Sequence, residues 1–181
     1  DAQARAIASL PLDQQRKVVE GLRAVSEHAA RTKFYRMFPD DGAHKRSLYP
    51  KHCEVVKLSA SRRFVAMLGG NGTGKTELGA YIATCHATGL YPAWWDGWRC
   101  NRPTTQWVAG DTKETVRDII QRKLLGEPGQ EGTGMIPAAL LGKITMRQNS
   151  NGSCDFVLVK HKSGGWSRIG FPRYGQRCEL L

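Results

Sequence analysis

The sequence predicts an α/β fold with a mainly parallel sheet, and three observations carry that expectation. A continuous apolar run, Phe64-Val65-Ala66-Met67-Leu68, has the length of a strand buried on both faces. Glycines follow it directly, and then Lys75 to Ala87 offers good helix formers without proline. The alternation recurs when Thr105-Gln106-Trp107-Val108-Ala109 leads into a helical pattern through Thr115, Val116, Ile119, Ile120, Leu124 and Leu125.

Taken in order, the elements begin with an amphipathic helix. Asp13 can cap it, and Val18, Leu22, Val25 and Ala29 recur at helical spacing while Arg16, Glu20, Arg23 and Glu27 face away. Phe38-Pro39-Asp40-Asp41-Gly42 supplies a stop and a turn, flanked by Arg31, Lys33, Arg36, Lys45 and Arg46. That basic cluster reads either as a solvated rim or as a contact to phosphate. Past the glycine loop, Asp111 sits where the second helix needs an N-cap. Residues 126–134 form a loop, Pro137–Leu141 a helical turn, and Phe156–Val159 with Trp166–Phe171 a hairpin joined through Ser163-Gly164-Gly165.

A chain of 181 residues with 40% hydrophobic and 24% charged residues can bury a core, which argues against disorder, a collagen-like repeat or a disulfide scaffold. Its formal net charge of +11 is spread along the chain and favours polyanionic partners. Cys53, Cys85, Cys100, Cys154 and Cys178 are odd in number and form no C-x-x-C pair. Reduced cytoplasmic thiols fit better than zinc ligands, because in His52–Cys53 and Cys85–His86 the adjacent side chains diverge. The longest charge-free stretch, residues 78–95, is broken by Gly79, Gly89 and Pro92, so no membrane span is expected. The start at Asp1 lacks both a methionine and a signal-peptide plan, which points to a fragment.

The chemical signal lies in Gly69-Gly70-Asn71-Gly72-Thr73-Gly74-Lys75-Thr76, which satisfies G-x-x-x-x-G-K-[ST] between an expected strand and an expected helix. Glycines let successive N–H groups turn inward on phosphate oxygens at a helix N-terminus. Lys75 would reach the β- and γ-phosphates, and the Thr76 hydroxyl would be a ligand of Mg²⁺. The expected nucleotide-binding residues are therefore Gly69, Gly70, Asn71, Gly72, Thr73, Gly74, Lys75 and Thr76. Lys75 and Thr76 carry the catalytic assignment, Thr76 the metal, and ATP with Mg²⁺ is the cofactor pair. The fold class sharpens to a P-loop NTPase-type, mainly parallel sheet with flanking helices and an N-terminal helical lead-in, incomplete at its end. Hydrolysis also needs an acid on a second strand. Lys160 and His161 follow Phe156–Val159, and Asp111 reads as a cap, so no residue fills that role.

Several further segments resemble the large subunit of the tailed-bacteriophage terminase. They are Phe38–Gly42, Tyr49–His52, the glycine loop, Thr88–Trp95, Trp107–Thr112, Gly132–Pro137, Gly164–Ser167 and Gly170-Phe171. The resemblance implies an ATP-driven motor that moves double-stranded DNA into a procapsid, followed in the intact parent by an RNase H-like nuclease domain absent here. It divides the chain into a helical lead-in, residues 1–48, and a partial P-loop ATPase domain, residues 49–181. The implied partners are double-stranded DNA, a portal protein, a terminase small subunit and further copies in a ring; the implied location is the cytoplasm of a bacterial host. Pro172 to Leu181 departs from the pattern, so the expectation is a truncated or frame-shifted product.

Two other readings share the loop: a non-catalytic remnant that binds nucleotide or DNA only, and another P-loop ATPase of helicase-like type or a small-molecule kinase. Trp94, Trp95 and Trp98 with Arg99 and Arg102 could stack on bases, though loop packing is the simpler role. Tyr49–His52 could border an adenine or form a plain turn. Arg99, Arg102, Arg147, Arg168 and Arg173 are the alternatives for an arginine acting on a neighbouring subunit's site.

Overall fold

The structure is a computed structural model that describes residues 10–148 and 152–172. Helix α1 spans Leu12–Arg31, with Asp13 in its first turn, where a carboxylate meets the positive end of the helix dipole. The expectation for Leu22, Val25 and Ala29 falls on side chains outside the described residues, and so does that for Arg173 and the segment 173–181. Two 3-10 turns follow, Lys33–Arg36 and Arg46–Leu48. Helix α2, Pro50–Leu58, starts on a proline, whose missing N–H costs nothing at a first helical position.

Helix α3, Lys75–Thr88, lies between two left-handed glycines, Gly74 at φ 80° and Gly89 at φ 71°. Strand β1 is Thr105–Trp107. The helix over residues 113–125, α4, carries a π-helical stretch, Val116–Gln121, between α turns at Lys113–Thr115 and Arg122–Leu125. Its N-cap is Thr112, whose hydroxyl accepts from the Thr115 N–H, so the cap lies one residue beyond the expected Asp111. A 3-10 turn at Ala138–Leu140 leads into β2, Leu141–Met146. Strands β3, Cys154–Lys160, and β4, Trp166–Gly170, form the expected hairpin.

The four strands run in the order β1-β4-β3-β2. Only β1 and β4 are parallel; β2–β3 and β3–β4 are antiparallel, so the sheet is mixed and not mainly parallel. Chain economy explains the correction, since β2, β3 and β4 are joined by links too short for a crossover helix. A second correction concerns Phe64–Leu68, which belongs to no strand. No described strand pairs with it, and Phe64 and Leu68 are 92% and 94% exposed; Met67 alone of the run packs against the core, so the run is not the strand buried on both faces that its apolar character suggested. Strand β2 has no counterpart among the expected elements.

Helix α3 packs on one sheet face. Ser167 Oγ donates to the Ala87 carbonyl at 2.7 Å, and Gln106 Nε2 to that of Ala83 at 3.2 Å. Val157, Val159, Ile169 and Phe171 are buried in the same core as Leu78, Tyr81 and Cys85. Gln121 ties α4 to β3 by donating to the Cys154 carbonyl and accepting from its N–H. The lead-in joins this core through Phe34, Phe38 and Val56. On the opposite face the Trp107 and Trp166 rings lie over Gly170 and Gly142, where a Cβ would stand 2.7 and 2.4 Å from the nearest ring carbon.

Candidate functional site

The glycine loop is shaped by Gly72 at φ 78° and Gly74 at φ 80°, a region that side-chain-bearing residues rarely adopt. Gly74 also makes room for a neighbour, because a Cβ there would stand 3.1 Å from His52 Nε2. Lys75 turns back into the loop. Its Nζ donates to the carbonyls of Gly69 at 2.7 Å and Gly70 at 2.5 Å, and lies 3.3 Å from Thr73 Oγ1. Thr73 Oγ1 donates to the Gly70 carbonyl at 2.9 Å. An ammonium held on carbonyl oxygens suits anionic oxygens equally well, and the first N–H groups of α3 open beside it. Thr76 is exposed on the first turn of that helix, and Asn71 is exposed in the loop.

Beside the loop lies a cavity of about 740 Å³. Gly72, Thr73 and Gly74 line it; Gly69, Gly70, Asn71, Lys75 and Thr76 are not in its lining. The segment ahead of the loop supplies further lining, with Lys33 and Arg36 as cations and Phe38, Tyr49 and His52 as rings. Phe38 has φ 54°, the one positive value outside glycine among the described residues, and its ring meets Tyr49, Tyr81 and Trp94 edge-on. His44 Nδ1 lies 3.3 Å from the Tyr49 hydroxyl. Tyr49 and His52 thus border the cavity, whichever ligand it takes.

Glu77, on the first turn of α3, pairs with Lys33 from the lead-in and with Lys123 of α4 at 2.6 Å. Burial would raise its pKa, but the hydrogen bonds from Lys123 and Lys33 outweigh that and hold the carboxyl below its usual range. Sequence reasoning missed Glu77 and also Thr133, which reaches the cavity from the loop after α4. Only spacing from Thr76 could have signalled Glu77; nothing local to residues 132–134 signals Thr133.

Several of the remaining candidates are held by local contacts, while Arg102 is exposed. Trp95 is buried, its indole N–H bonded to the Trp98 carbonyl, and Arg99 donates to the Trp95 carbonyl. Trp98 alone of the three tryptophans stays mostly exposed. Arg46 pairs with Asp40 and lies over the Trp94 ring. Arg147 pairs with Asp155, and Arg168 lies over Phe156. Burial pushes the Cys85 and Cys154 thiols up to about 12, so they stay protonated and unreactive at neutral pH. No described helix is long and apolar enough to cross a membrane.

A glycine loop opening a helix, Lys75 folded back onto it and a cavity lined by Lys33 and Arg36 alongside belong to an α/β protein with a mixed four-stranded sheet. Residues 66–177 match the profile of a family described as terminase large subunit, T4-like virus type, N-terminal, and the chain belongs to that family. The family's role is the packaging of phage DNA. No curated protein and no solved structure matches the chain.

Proposed function

We propose that the chain is the ATP-binding part of a DNA-packaging motor with a P-loop NTPase core. In the intact parent, hydrolysis would be coupled to movement of double-stranded DNA. The observation that carries this reading is the Lys75 ammonium, poised on the Gly69 and Gly70 carbonyls at the mouth of α3. There it would exchange carbonyl oxygens for the β- and γ-phosphates of ATP, while the loop N–H groups hold the same phosphates. The residues present fit the group: the site offers donors, and Lys33 and Arg36 add positive charge to the cavity. Thr76 would be the chain's ligand to Mg²⁺, which neutralises phosphate charge when bound. Phe38 and Tyr49 would give the base an apolar surface.

Assembly into a ring on a portal protein, with a small subunit, and residence in the host cytoplasm are part of this proposal, which family membership supports. A second reading, nucleotide binding without turnover by this stretch of chain, is favoured by β3 running into Lys160 and buried His161 instead of an acid.

The test is Mg²⁺-dependent ATP binding and phosphate release by the chain, with and without duplex DNA, beside Lys75→Ala. Loss of charge-assisted bonds worth about 1.5–3 kcal/mol each should weaken ATP binding by roughly 100-fold, with the melting temperature unchanged. Unchanged affinity would remove the site assignment. Release stimulated by duplex supports the motor, and binding without release supports the second reading.

A further inference from the structure

We propose that the 3-10 turn Lys33–Arg36 is a second phosphate clamp, lining the same cavity as the glycine loop, and that Glu77 holds Lys33 ready for it. This rests on the nucleotide reading of the same site and adds what that reading leaves open, namely how the number of phosphates is sensed. In a 3-10 helix, side chains three apart eclipse, so Lys33 and Arg36 share one side of their turn. Both line the cavity that Gly72, Thr73 and Gly74 also line. The turn is fixed to the helix that the loop opens: Phe34, 5% exposed, places its ring 5.4 Å from that of Tyr81 on α3.

Charge explains the holding contact. Glu77 is the one carboxylate in the cavity lining and would repel a phosphate beside it. Two lysines share it, and Lys123 alone suffices to neutralise it from the α4 side. When Lys33 turns to an anion, Lys123 stays on Glu77 Oε2 and keeps the carboxylate's charge paired, while the buried Oε1 gives up its contact with Lys33. Arg36 is exposed and makes no ion pair with a described residue. A ligand carrying more phosphate charge in the cavity gains more from the pair, so the clamp favours nucleoside triphosphate over diphosphate and monophosphate.

The experiment measures binding of ATP, ADP and AMP to the full chain by calorimetry, for the wild type and for Lys33→Ala, Arg36→Ala, Lys33→Arg, Lys123→Ala and Lys75→Ala, with a thermal melt of each. Lys33→Ala should weaken ATP roughly 10-fold, ADP less and AMP least, and Lys33→Arg should restore most of the loss. Lys123→Ala, which leaves Lys33 as the remaining partner of Glu77, should lower the melting temperature and weaken ATP by about 3- to 10-fold, because Lys33 is then kept on the carboxylate. ATP binding that needs Lys75 but is indifferent to Lys33→Ala and Arg36→Ala overturns the clamp alone. Equal losses for ATP and AMP also overturn it. ATP binding that Lys75→Ala leaves intact, or its absence in the wild type, overturns the reading of the site and the clamp with it.

Discussion

Lys75 and Gly89 mark the two ends of α3 and divide what single residues do here. Lys75 is spent on the loop and reaches no core, so its removal should cost binding and not fold. Gly89 is the opposite. It holds φ 71° at the helix C-cap, and a Cβ there would stand 2.4 Å from Nε2 of His161, a residue 1% exposed. His161 has little freedom to yield, because its Nδ1 accepts from the Ser163 N–H at 3.1 Å. Gly89→Ala should therefore lose about 2–4 kcal/mol, combining left-handed strain with overpacking. Chemical denaturation of the two proteins checks this, and a loss under about 0.5 kcal/mol would mean that His161 moves freely. The eight-residue loop motif could be picked out because it is a pattern of residue types in fixed order. Glu77 and Thr133 were not, because their roles depend on contacts with Lys33, Lys123 and the cavity wall that no local pattern encodes.

At the level of elements, helices α1, α3 and α4 and the β3–β4 hairpin could be read from periodicity and turn residues, whereas helix α2, where a plain turn was one reading of Tyr49–His52, and the sheet order could not. Phe64–Leu68 shows why. Five apolar residues in a row satisfy the pattern of a buried strand, but a strand exists only through its neighbours, and none of the described strands pairs with this run. Strand β2 escaped for the converse reason: Leu141-Gly142-Lys143-Ile144-Thr145-Met146 is irregular in polarity, and its pairing with β3 is interrupted by register shifts. Helix α3 and the sheet are joined by a polar staple that no pattern announces. Ser167 Oγ donates to the Ala87 carbonyl and accepts from the Thr104 N–H at 3.0 Å. Ser167→Ala should leave both without that partner and cost about 1–3 kcal/mol, with the loop and its ATP binding intact. Thermal melts with a binding control test it, and ATP affinity falling in step with stability would show that α3 depends on the staple for its placement.

Across the whole molecule, two partly buried groups among the described residues, His86 and Glu77, tie stability to acid, and both act in the same direction. Burial lowers the pKa of His86, whose Nδ1 lies 2.8 Å from the Tyr91 hydroxyl, so the folded chain favours the neutral ring. Protonation is then easier in the unfolded chain. The stabilisation is fully present above the unfolded value of 6.5 and is lost as pH falls below it towards the folded value. Glu77 is held below its ordinary 4.5 by its two lysines despite its burial, so its contribution is present above 4.5 and lost as pH falls through the folded value. Stability should thus decline in two stages on acidification, the first beginning near pH 6.5 and the second near pH 4.5. Denaturant titrations across this range, run on the wild type, Glu77→Gln and His86→Gln, separate the two groups. Glu77→Gln should remove the second stage and keep the first, and His86→Gln the reverse. A single decline shared by all three proteins would place the acid sensitivity elsewhere, and a rise in stability on acidification would contradict both assignments, since depressed folded pKa values can only weaken the fold as protons bind.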